Sequence, residues 1–166
     1  MLDRRSYCVA QLRTKLIGYV KLRVSKGQDV PSEFCAGGVL GEVFLENLAQ
    51  EVVVKLEELG ILNDLEYAKS KLNAEIFFNN RSPAIAKQKL LSIGIDPPLV
   101  DELLENLDTQ ELKVSQLEYA SKKWKSATKN IDLNDFKAVQ KAKNRVIGQC
   151  ARRGISFSVA LEAING

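Results

Sequence analysis

The side chains whose type and spacing suggest recognition chemistry are basic ones: Lys122, Lys123, Lys141, Arg145, Arg152 and Arg153 in the last third of the chain, and Arg81 upstream. Such a set suits nucleic-acid phosphate or an acidic protein face, because several cations on one surface raise the local potential and attract polyanions. The alternative is a solvated helix surface. Charge alone leaves both readings open. Residues 1–41 hold seven basic and three acidic side chains, residues 42–111 six and fourteen, and residues 112–153 eleven and three, although the whole chain is only +3.

Catalytic chemistry finds little support. Histidine is absent, which removes the usual general base near neutral pH and the commonest zinc ligand. Cys8, Cys35 and Cys150 are odd in number and far apart, so they form neither a CxxC site nor a closed disulfide framework. Cys150 reads as a packing residue. The run Gly37-Gly38-Val39-Leu40-Gly41 lacks the Lys-Ser/Thr of a phosphate loop and the spacing of a dinucleotide fingerprint. No paired carboxylates or nucleophile with a base stand out. A non-enzyme is expected, with no catalytic residue, metal, cofactor or small-molecule substrate.

The elements that must position the basic residues are helices. At 166 residues with 45% hydrophobic and 27% charged side chains, the chain has an ordinary globular composition and can bury a core. Its longest apolar runs fall far short of a membrane span, and Met1-Leu2-Asp3-Arg4-Arg5 lacks the apolar core of a secretory signal. A cytoplasmic protein is expected.

An internal repeat organises the chain. Leu65-Glu66-Tyr67-Ala68-Lys69-Ser70-Lys71-Leu72 recurs as Leu117-Glu118-Tyr119-Ala120-Ser121-Lys122-Lys123-Trp124, and Leu90…Gly94-Ile95 as Cys150…Gly154-Ile155. A degenerate upstream copy places Leu48, Ala49, Val52, Val53 and Leu56 at the spacing of Leu99, Val100, Leu103, Leu104 and Leu107. The expected fold is therefore all-α and elongated, made of tandem three-helix repeats: a degenerate, truncated first unit over 1–62, a second over 63–109 and a third over 110–166.

Local signals place the helix ends. Asn63 and Glu66 have capping-box spacing, with Leu62 and Tyr67 as the flanking staple, and Ser115, Glu118, Val114 and Tyr119 repeat the pattern. Ala68, Leu72 and Ile76 share one stripe of a helix ending near Asn79-Asn80. Ser82-Pro83 and Asp96-Pro97 open further helices, Gly94 and Gly154 stop helices, and Ser156 caps the last one. Tyr119 and Trp124 fall at core positions of the repeat. Arg5 to Leu16 suits a helix, whereas the glycines and Pro31 of Ile17 to Phe44 predict an inserted loop.

These residues resemble the RecX family of bacterial recombination regulators. Gly60-Ile61-Leu62-Asn63-Asp64 with Tyr67-Ala68 is similar to the family's Gly-x-Leu-Asp-Asp-x-x-Phe-Ala segment. Arg81-Ser82-Pro83 leading to Leu90 and Gly94-Ile95 is similar to its Gly-Pro helix, and Arg5-Ser6-Tyr7-Cys8 through Leu16 to its N-terminal Arg-x-Tyr-Ser segment. Arg152-Arg153-Gly154-Ile155-Ser156 completes the set. The family's basic run before Gly-Pro is reduced here to Arg81. The resemblance implies a regulator that binds the RecA recombinase and its nucleoprotein filament, that contacts single- or double-stranded DNA, and that serves DNA repair, recombination and the SOS response. Its competitors are a helical nucleic-acid-binding module without a recombinase partner and a protein-only helical scaffold.

Overall fold

The structure is a computed structural model that describes residues 7–26, 42–132 and 134–166. Among these, every regular element is helical: α1 (Val9–Ser25), α2 (Glu42–Glu58), α3 (Asp64–Asn73), a π-helical turn (Ala74–Phe78), α4 (Pro83–Ser92), α5 (Pro97–Glu105), α6 (Thr109–Thr128), α7 (Phe136–Ala151) and α8 (Phe157–Asn165). The all-α expectation holds. The chain divides into two compact units, Met1–Ala68 with Leu91–Asp96, and Lys69–Leu90 with Pro97–Gly166.

In the first unit α1 packs on α2. Leu12, Val53 and Leu62 form the buried centre, flanked by Tyr7, Val9, Leu16 and Leu56. The start of α1 is held from three sides. Asp64 accepts a hydrogen bond from the Val9 amide at 2.8 Å, Tyr67 donates its hydroxyl to Gln11 at 3.1 Å, and the fully buried Cys8 donates its thiol to the Ile93 carbonyl at 3.2 Å. Gly94, at φ +89°, lies so close to α1 that an added Cβ would stand 2.5 Å from that of Ala10. Burial pushes the Cys8 thiol and the Tyr67 hydroxyl above their ordinary values, since a charged form would lose its hydration. The Leu62–Ala68, Gly94-Ile95 and Tyr7–Leu16 segments thus meet at one packed junction.

The second unit is built on α6, α7 and α8. Ala120 and Ala160, fully buried, let helices approach closely, and Val146, Cys150, Ile155, Ala163 and Ile164 fill the rest of the cluster. Burial raises the Cys150 thiol above its ordinary value, opposed by the charge of Arg153. Leu90 and Cys150 are each 1% exposed, as the positions before their Gly-Ile stops require. Leu72 and Ile76 are also buried, and the helix they belong to ends through the π-turn at Asn79, followed by Asn80 at φ +51°.

Helix ends follow the local signals with two exceptions. Asn63 accepts from the Glu66 amide, Ser156 from the Val159 amide, and Ser82 from the Ile85 amide. Gly60 and Gly154, at φ +67° and +71°, close α2 and α7 with paired backbone bonds from Gly60 and Ile61 and from Gly154 and Ile155 back into the helix, the left-handed stop that glycine adopts without a Cβ penalty. Ser115, however, starts nothing. Asp108 caps α6 seven residues earlier, accepting from the Gln110 and Glu111 amides, so Ser115 lies inside a helix that continues unbroken. The second exception is the loop expected over Ile17 to Phe44. Residues up to Ser25 continue α1 and Phe44 belongs to α2. One interior glycine, Gly18, costs a helix only about 1 kcal/mol, which the packing of α1 on α2 outweighs. Residues 27–41, which include Cys35, lie outside the described residues, as do Arg5 and Ser6.

Candidate functional site

Four of the seven basic residues singled out in the sequence come together in the second unit. Arg81, Lys123, Arg152 and Arg153, with Tyr119 and Gln149, line a shallow concavity of about 390 Å³. Among the described residues, its lining contains no carboxylate-bearing residue. The other three do not line it: Lys122 is exposed on α6, and Lys141 and Arg145 are exposed on α7 while Ala142, Val146 and Cys150 form that helix's buried stripe.

The concavity sits where α7 ends and α4 begins. The Schellman-type turn at Gly154 stops α7 at Ala151, so Arg152 is the C-cap and Arg153 follows it. The Arg153 carbonyl accepts a 2.8 Å hydrogen bond from the Ser82 amide at the α4 N-terminus, and an added Cβ at Gly154 would lie 2.2 Å from the Ser82 Oγ. This tight junction fixes Arg81 on one side and Arg153 on the other.

The side chains are held individually. Arg81 is ion-paired with Glu75, which also accepts from Lys89 Nζ at 3.2 Å. The Arg153 guanidinium lies 4.7 Å and the Lys123 ammonium 5.4 Å from the centre of the Tyr119 ring. The Arg152 guanidinium folds back toward Gly148. Among the described residues, none of Lys123, Arg152 and Arg153 makes an ion pair. Such an arrangement can bind anions through charge and multiple N–H donors.

Gln149 was not singled out in the sequence, and Tyr119 was read there chiefly as a core position of the repeat. Tyr119 does pack against the cluster, as its repeat position predicts, but it is only partly buried and its ring carries two cations. The Tyr119–Lys123 pair, four residues apart on a helix, was legible as a helical neighbour contact; the approach of Arg153 was not.

Among the described residues this is an all-helical protein with four cations gathered around one concavity. Eight curated relatives match the chain. It is 25% identical to Regulatory protein RecX of Lactococcus lactis subsp. lactis (strain IL1403) over 158 residues, covering 93% of this chain and 54% of the relative. It is also 25% identical to Regulatory protein RecX of Streptomyces coelicolor over 119 residues (72% and 60%), and 27% identical to that of Corynebacterium efficiens over 134 residues (77% and 62%). The chain is thus similar to proteins named Regulatory protein RecX over most of its length, in line with the resemblance of its motifs, and spans somewhat more than half the length of these relatives. No family profile and no solved structure matches it. No helix of the described residues is long and apolar enough to cross a membrane.

Proposed function

We propose that this chain is a non-enzymatic, cytoplasmic regulator that binds the RecA recombinase or its nucleoprotein filament and lowers recombinase activity in DNA repair and recombination. The shared name of its relatives supports a regulatory role. The observation that carries the reading of a charged partner is the concavity of Arg81, Lys123, Arg152 and Arg153, whose lining holds no carboxylate. It suits phosphate on a DNA-bound filament, and such a contact weakens as salt rises. Lys141 and Arg145 extend the same charge along the exposed side of α7 and serve as a secondary contact.

The test is ATP hydrolysis by a recombinase on single-stranded DNA with this protein present at substoichiometric ratio. Slower hydrolysis is expected, with a weaker effect from Arg152→Glu/Arg153→Glu and an intermediate one from Lys141→Glu/Arg145→Glu. Unchanged hydrolysis at low salt sinks the reading. A second reading, a nucleic-acid-binding module without a recombinase partner, rests on the same concavity; binding to bare DNA without any effect on the recombinase would favour it.

A further inference from the structure

We propose that Tyr119 is the positioning residue of a phosphate site in this concavity, holding Arg153 and Lys123 against its ring so that both present their charge to one phosphodiester group. The inference rests on the reading above that this face meets phosphate, and adds to it the residue that organises the cations.

Two like charges stand against one ring, Arg153 at 4.7 Å and Lys123 at 5.4 Å from its centre. They repel one another, and in water each would sample many rotamers. The negative face of the aromatic quadrupole offsets part of that cost. No carboxylate does so: Arg81 has Glu75, but among the described residues Lys123, Arg152 and Arg153 have no acidic partner. Arg153 is fixed at both ends, its carbonyl by the Ser82 amide at 2.8 Å and its guanidinium by the ring. Preorganised donors without an internal anion are what an external anion needs, because the ordering cost is met before binding. The ring's role is support; with cations against it, it is not a platform for a base.

The experiment measures binding of a fluorescent oligothymidylate across a salt series, with thermal melts of each variant. Tyr119→Leu is expected to bind roughly five- to tenfold more weakly at low salt and to flatten the slope of log K against log salt by about one. Tyr119→Phe, which keeps the quadrupole, should match the parent. In a Lys123→Gln/Arg153→Gln background the further change Tyr119→Leu should have no effect, since the ring then has nothing to hold. If Tyr119→Leu folds and binds with the parent's affinity and slope, the proposal is overturned. Should Tyr119→Leu not fold, Lys123→Gln/Arg153→Gln, which leaves the core intact, decides: parental binding by that variant overturns the proposal, and a flattened slope upholds it. Arg152→Glu, a residue outside the ring contact, reports on the underlying reading. If it loses binding while the Tyr119 and Lys123/Arg153 variants do not, only the positioning role fails; if none of them does, the phosphate reading fails.

Discussion

Replacing Gly154 with alanine perturbs the α7 stop and the basic concavity together. The residue sits at φ +71°, where a side chain costs about 1 to 2 kcal/mol. The new Cβ would also lie 2.2 Å from Ser82 Oγ, 2.9 Å from Ser82 Cβ and 3.1 Å from Ile85 Cδ1, so the α4 N-terminus has to give way. Overpacking of this kind costs about 1 to 3 kcal/mol, making the expected total about 2 to 5 kcal/mol. Gly60 supplies the control. It has φ +67° with nothing within 4 Å of its added Cβ, so Gly60→Ala should show the backbone cost alone. Urea denaturation followed by circular dichroism measures both, and oligonucleotide binding of the folded Gly154→Ala protein reports whether Arg153 has lost its Ser82 anchor. Equal destabilisation of the two variants would refute the argument, because it would mean that the Ser82 contact relaxes without cost.

Three other outcomes are expected. Asp108→Ala should destabilise the protein by about 1 kcal/mol in urea melts, since two amides lose their cap, whereas Ser115→Ala should be near neutral; the reverse order would restore Ser115 as a helix start. Leu90→Ala should cost about 2 to 5 kcal/mol, as a leucine at 1% exposure does when truncated, and an unchanged melting temperature would contradict its place in the core. Stability should also fall on the alkaline side. The Cys8 and Cys150 thiols are raised above 9.0 and the Tyr67 hydroxyl above 10.0 in the folded state, so above those values the unfolded chain loses protons that the folded one retains. The stabilisation is fully present below about pH 9, and Cys8→Ala/Cys150→Ala should flatten its loss above that; a steep fall beginning near neutral pH would point to other groups.

Much of the helix map was legible because helix ends are governed by neighbours in sequence. Asn63, Ser82 and Ser156 each cap an amide three residues on, and Gly154 needs only its own conformational freedom to stop α7. The buried pair Leu90 and Cys150 was readable for a similar reason, since each precedes a Gly-Ile stop by a fixed interval. The misplaced start at Ser115 shows the limit of that logic: two cap-like signals, Asp108 and Ser115, lie within two turns, and the earlier one prevails because α6 can extend back to it without a break.

Charge segregation and the family likeness, too, were properties of the chain as written. What only the tertiary structure decided is which cations stand together. Arg81 and Arg153 are 72 positions apart in sequence, and they border one concavity because the Ser82 amide binds the Arg153 carbonyl and Gly154 leaves room for the Ser82 side chain. Lys141 and Arg145, just as basic, are left outside it. A cation's charge is set by its own side chain, but its neighbours are set by the packing of helices brought together from distant parts of the chain.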